Sequence, residues 1–350
     1  MNHRFLASLG VTALAIALTV IMLAPPPAAA QAPNAAAVNA PKPATAAKPW
    51  TGKTPDGQPD LQGYWTNNTY TPLERPNGVT KAVYTKEERV IADKRAAERE
   101  EEQTVPGTVA DVHYDFNQIS LDRSQTRLTG DMRTSMITDP PNGKLPPTTP
   151  EGVKRAADKA AERRKQGAQY DQVQNIPIGS RCVYTNAGPP MMPPGYNPAY
   201  QILQSPGYVT ILIESLHEVR VIPLDGRPHP PANVRSWLGD ARGRWEGNTL
   251  IVETTNFNDK VAFRGASENM KVIERFTRLS DDEIRYEFTV HDPSTWEIPW
   301  TAQMPFVKIG GPIFEHACTE GNYGIANTLA GARAEDKRAA EAAAKKAGAK

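Results

Sequence analysis

The amino-acid sequence predicts a mainly β fold: an antiparallel up-and-down barrel or strongly curved sheet, with an irregular N-terminal region and two surface helices. Three observations predict it. From Tyr200 to Tyr323 the chain reads as short apolar runs separated by turn residues. Within one run, Ile284, Tyr286, Phe288 and Val290 alternate with Arg285, Glu287, Thr289 and His291, the period of a strand with one buried and one polar face. The linkers between runs are too short for parallel crossovers, so neighbouring strands run antiparallel. About eight such strands closing on themselves remove exposed edges, which gives a lipocalin-like barrel.

The elements follow in order. His3 and Arg4 precede an apolar run from Phe5 to Ala24, and Ala28 and Ala30 then supply the small residues of a cleavage site. Residues 1–30 are therefore expected to be a signal peptide cut after Ala30. The run is also about 20 residues long, the length of a membrane anchor, but the small-residue site favours cleavage. The mature chain is expected to be periplasmic, with no membrane span. Residues 31–48 are Ala/Pro-rich and cannot bury enough apolar surface to fold, so they read as a disordered leader.

Residues 49–199 read as irregular and helical, opening with a short strand from Asp60 to Trp65. Thr85 and Glu88 form a capping box that starts a charged helix running to about Gln103. A second charged helix starts at Pro150, the favoured first-turn position, and runs to about Gln166. Residues 200–328 hold the barrel. Its expected strands are Gln201–Gln204, Tyr208–Glu214, Glu218–Leu224, Gly243–Glu246, Thr249–Thr254, Lys271–Leu279, Glu283–His291, Trp296–Thr301 and Ile313–Cys318. Residues 329–350 form an Ala-rich charged tail or marginal helix with no core-facing stripe.

Composition excludes several function classes. Lys and Arg total 40 against 39 Asp and Glu, so the basic excess of a nucleic-acid binder is missing. Two Cys exclude a disulfide-dense scaffold, a four-Cys zinc site and an ordinary iron–sulfur site. In an exported chain Cys182 and Cys318 read most simply as one disulfide, closing a loop of roughly 135 residues and contributing about 4–5 kcal/mol in the chain-entropy model. A thiol nucleophile at Cys318, two residues from His316, is the alternative. Neither a phosphate-cradling Gly loop nor a G-x-S-x-G elbow is present. His113, His217, His229, His291 and His316 show no metal-ligand spacing, so no metal and no cofactor are expected. Met191 and Met192, between two Pro pairs, read as a lid or cover over apolar surface.

Three groups of residues carry potential chemistry. Glu214, His217 and Arg220 lie on consecutive strands joined by a tight link, and Asp225, Arg227 and His229 follow. His229 sits between prolines that fix its loop. His229 and His217 are candidate general bases, with Glu214 or Asp240 orienting them. Trp237, Asp240, Arg242, Trp245 and Glu246 form the second group, with Trp supplying apolar area and Arg a fork for a carboxylate. Arg220, Arg242, Trp237, Trp245 and His316 are the candidate ligand contacts. The bland alternatives are a His bonded to a backbone carbonyl, a Gly-bounded hairpin held by an Asp–Arg pair, and a His316 packed near the disulfide.

The segments Asp225-Gly226-Arg227-Pro228-His229-Pro230, Trp237-Leu238-Gly239-Asp240 and Gly243-Arg244-Trp245-Glu246-Gly247-Asn248-Thr249-Leu250 resemble a family of uncharacterised exported bacterial proteins. So do Glu274-Arg275-Phe276-Thr277-Arg278 and the stretch from Glu315 to Tyr323. The resemblance covers roughly residues 55–330. It implies export and a shared fold, and it carries no catalytic role. Three functional readings follow: a barrel that binds a small apolar or aromatic molecule, a cofactor-free acid–base enzyme (lyase, isomerase or hydrolase) at the barrel mouth, and an envelope-interaction protein. Whether Arg285, Glu287 and His291 point inward discriminates the first two, because alternation gives the period and not the phase.

Overall fold

The structure, a computed structural model, describes residues 50–101, 131–183, 187–194, 197–260 and 263–348. The expected signal peptide, the leader and His113 lie outside these residues. The described strands are β1 (Gly63–Thr66), β2 (Ile137–Asp139), β3 (Ala199–Ser205), β4 (Tyr208–Ile213), β5 (Glu218–Pro223), β6 (Asp240–Glu246), β7 (Thr249–Thr255), β8 (Lys271–Arg278), β9 (Glu283–His291) and β10 (Trp300–Lys308). Helices α1 (Lys86–Glu101), α2 (Pro150–Lys165) and α3 (Tyr323–Gly348) complete it. Both predicted helix starts are seen. Thr85 and Glu88 exchange the two hydrogen bonds of the capping box, at 2.8 and 3.3 Å. Thr149 caps α2 by accepting from the Gly152 N–H at 3.0 Å, with Pro150 next to it.

The strands form one antiparallel sheet in the order β5-β4-β3-β1-β10-β9-β8-β7-β6, with β2 added to the free side of β10, nearly closed into a barrel. It is built from two meanders, β3–β5 and β6–β10, joined through the short N-terminal strand β1. Nine strands on this path make eight reversals, so β5 and β6, the two ends, run the same way. They lie side by side with no ladder between them. Side chains close the seam instead: a Cβ added at Gly243 would come within 2.6 Å of Leu224 and 2.8 Å of Ile222. Parallel ends also require a crossover. The segment from Leu224 to Gly239 returns the chain from one rim of the barrel to the other. We call the rims after the β4–β5 connection (the His217 rim) and the β3–β4 turn (the Gly207 rim, where Gly207 takes φ +79).

The alternation in β9 has the phase that faces Ile284, Tyr286, Phe288 and Val290 inward, while Arg285 and His291 are exposed. Inward side chains from neighbouring and next-neighbouring strands meet. Tyr200 and Tyr286 each lie 5.1 Å from Phe306, and Phe288 meets Trp300 edge-on at 5.6 Å. Each such pair contributes roughly 1 kcal/mol beyond its burial. The middle of the barrel is thus filled by its own aromatic rings. Segment 187–194 enters one side of this core, and Met191 and Met192 are buried in it, as the cover reading anticipates.

Three sequence expectations need correction. The last strand is Trp300–Lys308 rather than Trp296–Thr301. Pro305 obscures it, yet the chain tolerates that proline for a geometric reason. Gln303 directs its N–H away from β9 to Met136, so two residues on the missing Pro305 N–H also faces away from β9, between β2 and β1. Second, Ile313–Cys318 forms no ladder and ends in a turn, so the disulfide joins two rim segments and not a strand. Third, the tail takes the helical one of its two readings, with none of its described residues buried, but it begins earlier, at Tyr323, so the described residues hold three α-helices where two surface helices were expected.

Candidate functional site

Alternation along β5 places Glu218, Arg220 and Ile222 inward and leaves Val219 and Val221 half exposed. The register with β4, Ile211 opposite Arg220, enforces that phase, because alternate residues of β4 already face the core: Val209, Ile211 and Ile213 are all buried. Arg220 therefore enters the barrel and forks onto Glu274 of β8, its Nη1 donating at 2.9 Å. Tyr286 donates to the same carboxylate at 2.8 Å and accepts from the Met191 N–H at 2.9 Å. Asn67 donates to the Met191 carbonyl at 2.9 Å. Burial pushes the Tyr200 and Tyr286 hydroxyls far above the ordinary tyrosine range, so both stay neutral. A polar column thus runs through an aromatic core and holds the backbone of 187–194 by both its N–H and C=O groups.

The column opens at the His217 rim. Glu218 begins β5 on the same inward face, and burial pushes its carboxyl up to about 7 against the pull of Arg220. Its Oε2 is buried with no hydrogen-bond partner among the described residues. The preceding turn, Ser215–His217, holds Leu216 at φ +59 and His217 at φ +52. Left-handed backbone at two non-glycine residues costs roughly 1 kcal/mol each. His316 stabilises that turn, because its Nδ1 accepts from the Leu216 N–H at 3.1 Å. The neutral ring then carries its proton on Nε2. Burial and the nearby His217 both lower the His316 pKa. Glu214, 1 % exposed, accepts from the Phe314 N–H at 2.8 Å, and burial raises its carboxyl. The Cys182–Cys318 disulfide, with Cα atoms 5.8 Å apart, ties the two segments that flank this rim.

His229 is elsewhere, on the outer wall. Its Nδ1 lies 2.7 Å from Asp240 and its Nε2 3.6 Å from Glu253. Arg242 pairs with Asp240 at 2.8 Å and Lys271 with Glu253 at 3.5 Å. Asn256 reaches the carbonyls of Pro230, Pro231 and Val234. A carboxylate at each ring nitrogen makes this imidazole a bridge that fastens the crossover segment to β6 and β7. Trp237 and Trp245 pack partly buried against the core. Two cavities among the described residues lie outside the core: one of about 380 Å³ at the Gly207 rim, lined by Trp245, Tyr208, Leu224, Arg244 and Asp56, and one of about 270 Å³ beside Arg133 and Arg285.

The structure thus divides the selected residues. Glu214, His217 and His316 share one rim, Arg220 lies inside, His229, Asp240 and Arg242 cluster on the wall, and Trp245 lines the opposite rim. No family model, curated protein or solved structure matches this chain. The functional reading therefore rests on geometry, and the barrel-like antiparallel fold is compatible with ligand binding. Among the described residues no three His, Cys, Asp or Glu side chains converge on a point that could hold a metal ion. No described helix is long and apolar enough to cross a membrane. Sequence reasoning missed Glu218, Glu274, Tyr286 and Asn67. One signal was available for Glu274, a carboxylate at the inward phase of β8 between Val272 and Phe276.

Proposed function

We propose that this is an exported small-molecule-binding protein, periplasmic once residues 1–30 are removed, whose ligand meets the barrel at the His217 rim. Glu218 is the observation that carries the reading. A carboxyl on the inward face of a strand, with one oxygen unpartnered among the described residues and held up to about 7 by burial, is set to share a proton with an incoming group. His217 is exposed beside it on a strained turn, and strain of this kind concentrates at ligand sites. The barrel's own rings fill its middle, so the ligand is an apolar or aromatic molecule that meets the rim and places one such polar group against Glu218. The disulfide supports export to an oxidising compartment.

The same carboxyl favours acid–base catalysis as the second reading, since a group titrating near neutrality both gives and takes protons. Native mass spectrometry of the protein purified from the periplasm of its own host tests the first reading. A co-purified organic molecule whose occupancy falls sharply in Glu218→Gln supports it. An empty parent protein, or equal occupancy in the variant, overturns it.

A further inference from the structure

We propose a second small-molecule site at the Gly207 rim, built for a free aromatic or apolar α-amino acid. β4 runs from one rim to the other, so this site stands at the opposite end of the barrel from Glu218 and does not rest on the reading above. The cavity there holds about 380 Å³, within the range of small-molecule sites and large enough for one aromatic amino acid. Its wall is apolar on one side: Trp245, Tyr208 and Leu224 line it together. Two opposite charges flank that wall. Arg244 comes from β6, and Asp56 from the turn that the Thr54 N–H to Gln58 carbonyl bond closes at 2.9 Å. Among the described residues Arg244 pairs with Glu246, and the two side chains are 60 % and 56 % exposed. Such a surface pair is worth little and exchanges its partner readily. Asp56 makes no ion pair among the described residues.

The complement of one cation, one anion and an apolar wall is a zwitterion with an apolar side chain. Arg244 takes the carboxylate through its planar fork. Asp56 takes the ammonium, and the ring lies against Trp245. A neutral aromatic molecule would leave both charges unused, and a simple aromatic acid would meet Asp56 unpaired.

Isothermal titration of the full mature protein with four probes tests this: L-phenylalanine, phenylpropionate (no ammonium), phenylalaninamide (no carboxylate) and glycine (no ring). L-phenylalanine is expected to bind saturably, and each truncated probe about tenfold or more weaker, the effect of losing one charge-assisted bond or the apolar contact. In Arg244→Gln the preference for phenylalanine over its amide should vanish. In Asp56→Asn the preference over phenylpropionate should vanish. Both residues are exposed, so folding is expected to survive and is checked by the melting temperature. Absence of saturable binding by phenylalanine, equal binding of all four probes, or preferences unchanged in both variants would each overturn the assignment.

Discussion

Arg220 lies buried between Val219 and Val221, both half exposed, and α1 repeats the inversion: Arg89 is buried while Val90 and Ile91 face outward. In each case the arginine finds fixed acceptors, Glu274 for one and Asp93, Thr71 and the Asp131 carbonyl for the other. A buried pair such as Arg220–Glu274 adds little net stability, but breaking it strands a charge. Arg220→Met should therefore lose about 3–5 kcal/mol in urea unfolding, whereas Arg220→Met with Glu274→Met should recover most of it. Equal losses in the single and double variants would mean that the pair itself is not what is being disrupted. Glu218 gives a pH signature. Its folded carboxyl titrates at about 7 against an ordinary value of 4.5, so the folded chain holds the proton more tightly. Glu218 therefore takes nothing from stability below about 4.5, costs progressively more as pH rises to 7, and levels off above, by roughly 3 kcal/mol in all. His316 works in the opposite sense, since its lowered pKa makes stability rise with pH through the histidine range. The difference between Glu218→Gln and the parent isolates the carboxyl: the variant should gain on the parent between pH 5 and pH 8, and a difference flat in pH would refute the assignment. Neither residue was legible from alternation alone. In Val-Arg-Val-Ile the expected phase puts valines inside, and only the register with β4, a tertiary fact, reverses it.

At the scale of elements, strands with strong alternation and glycine turns were readable: β7, β8 and β9 lie within a residue or so of their predicted bounds, and Gly247 takes the φ +59 its turn requires. The legible elements are those whose partners are next to them in sequence. β1, only Gly63–Thr66, was recognisable as a strand, but its place between β3 and β10 depends on pairings more than a hundred residues away. The rim segments were harder still. Residues 177–183 and 312–318 carry no ladder and are held by the disulfide, by Asn322 donating to the Ser180 carbonyl at 2.9 Å, and by Phe314 donating to Glu214. Closing a separation of 136 residues restricts the unfolded chain by about 4–5 kcal/mol. Replacing both cysteines by Ser should lower unfolding free energy by an amount of that order. Hydrogen exchange should at the same time quicken at the Leu216 amide, whose acceptor His316 sits two residues from Cys318. A variant with unchanged stability and protection would remove the disulfide from any role in shaping the His217 rim.

The whole molecule depends on how the two meanders meet. An odd number of antiparallel strands cannot close with an antiparallel last pair, so β5 and β6 must touch without a ladder, and no strand-by-strand reading of the sequence reveals that parity. The seam then needs two supports. Outside, the Arg242–Asp240–His229–Glu253–Lys271 chain runs across β6, β7 and β8 and straps the crossover down. Inside, Ile222 and Leu224 fill the space that Gly243 leaves by having no side chain. That second support is the more exposed to test, because the atoms nearest the glycine are aliphatic side-chain carbons of Leu224, Ile222 and Leu250, packed where an added methyl group would go. Gly243→Ala brings a methyl group to 2.6 Å from Leu224, so β5 and β6 must part or Leu224 must leave its site at the edge of the 380 Å³ cavity. Overpacking of this kind typically costs about 1–3 kcal/mol. Gly310→Ala is the matched control: it lies just beyond β10, has nothing within 4 Å of the added methyl and needs no positive φ, so it should stay within about 0.5 kcal/mol of the parent. Urea unfolding of both variants decides the matter. If Gly243→Ala proves as harmless as Gly310→Ala, the ends of the sheet are not in contact in solution, the barrel is an open curved sheet, and the column from Glu218 to Tyr286 is reachable from the side as well as from the rim.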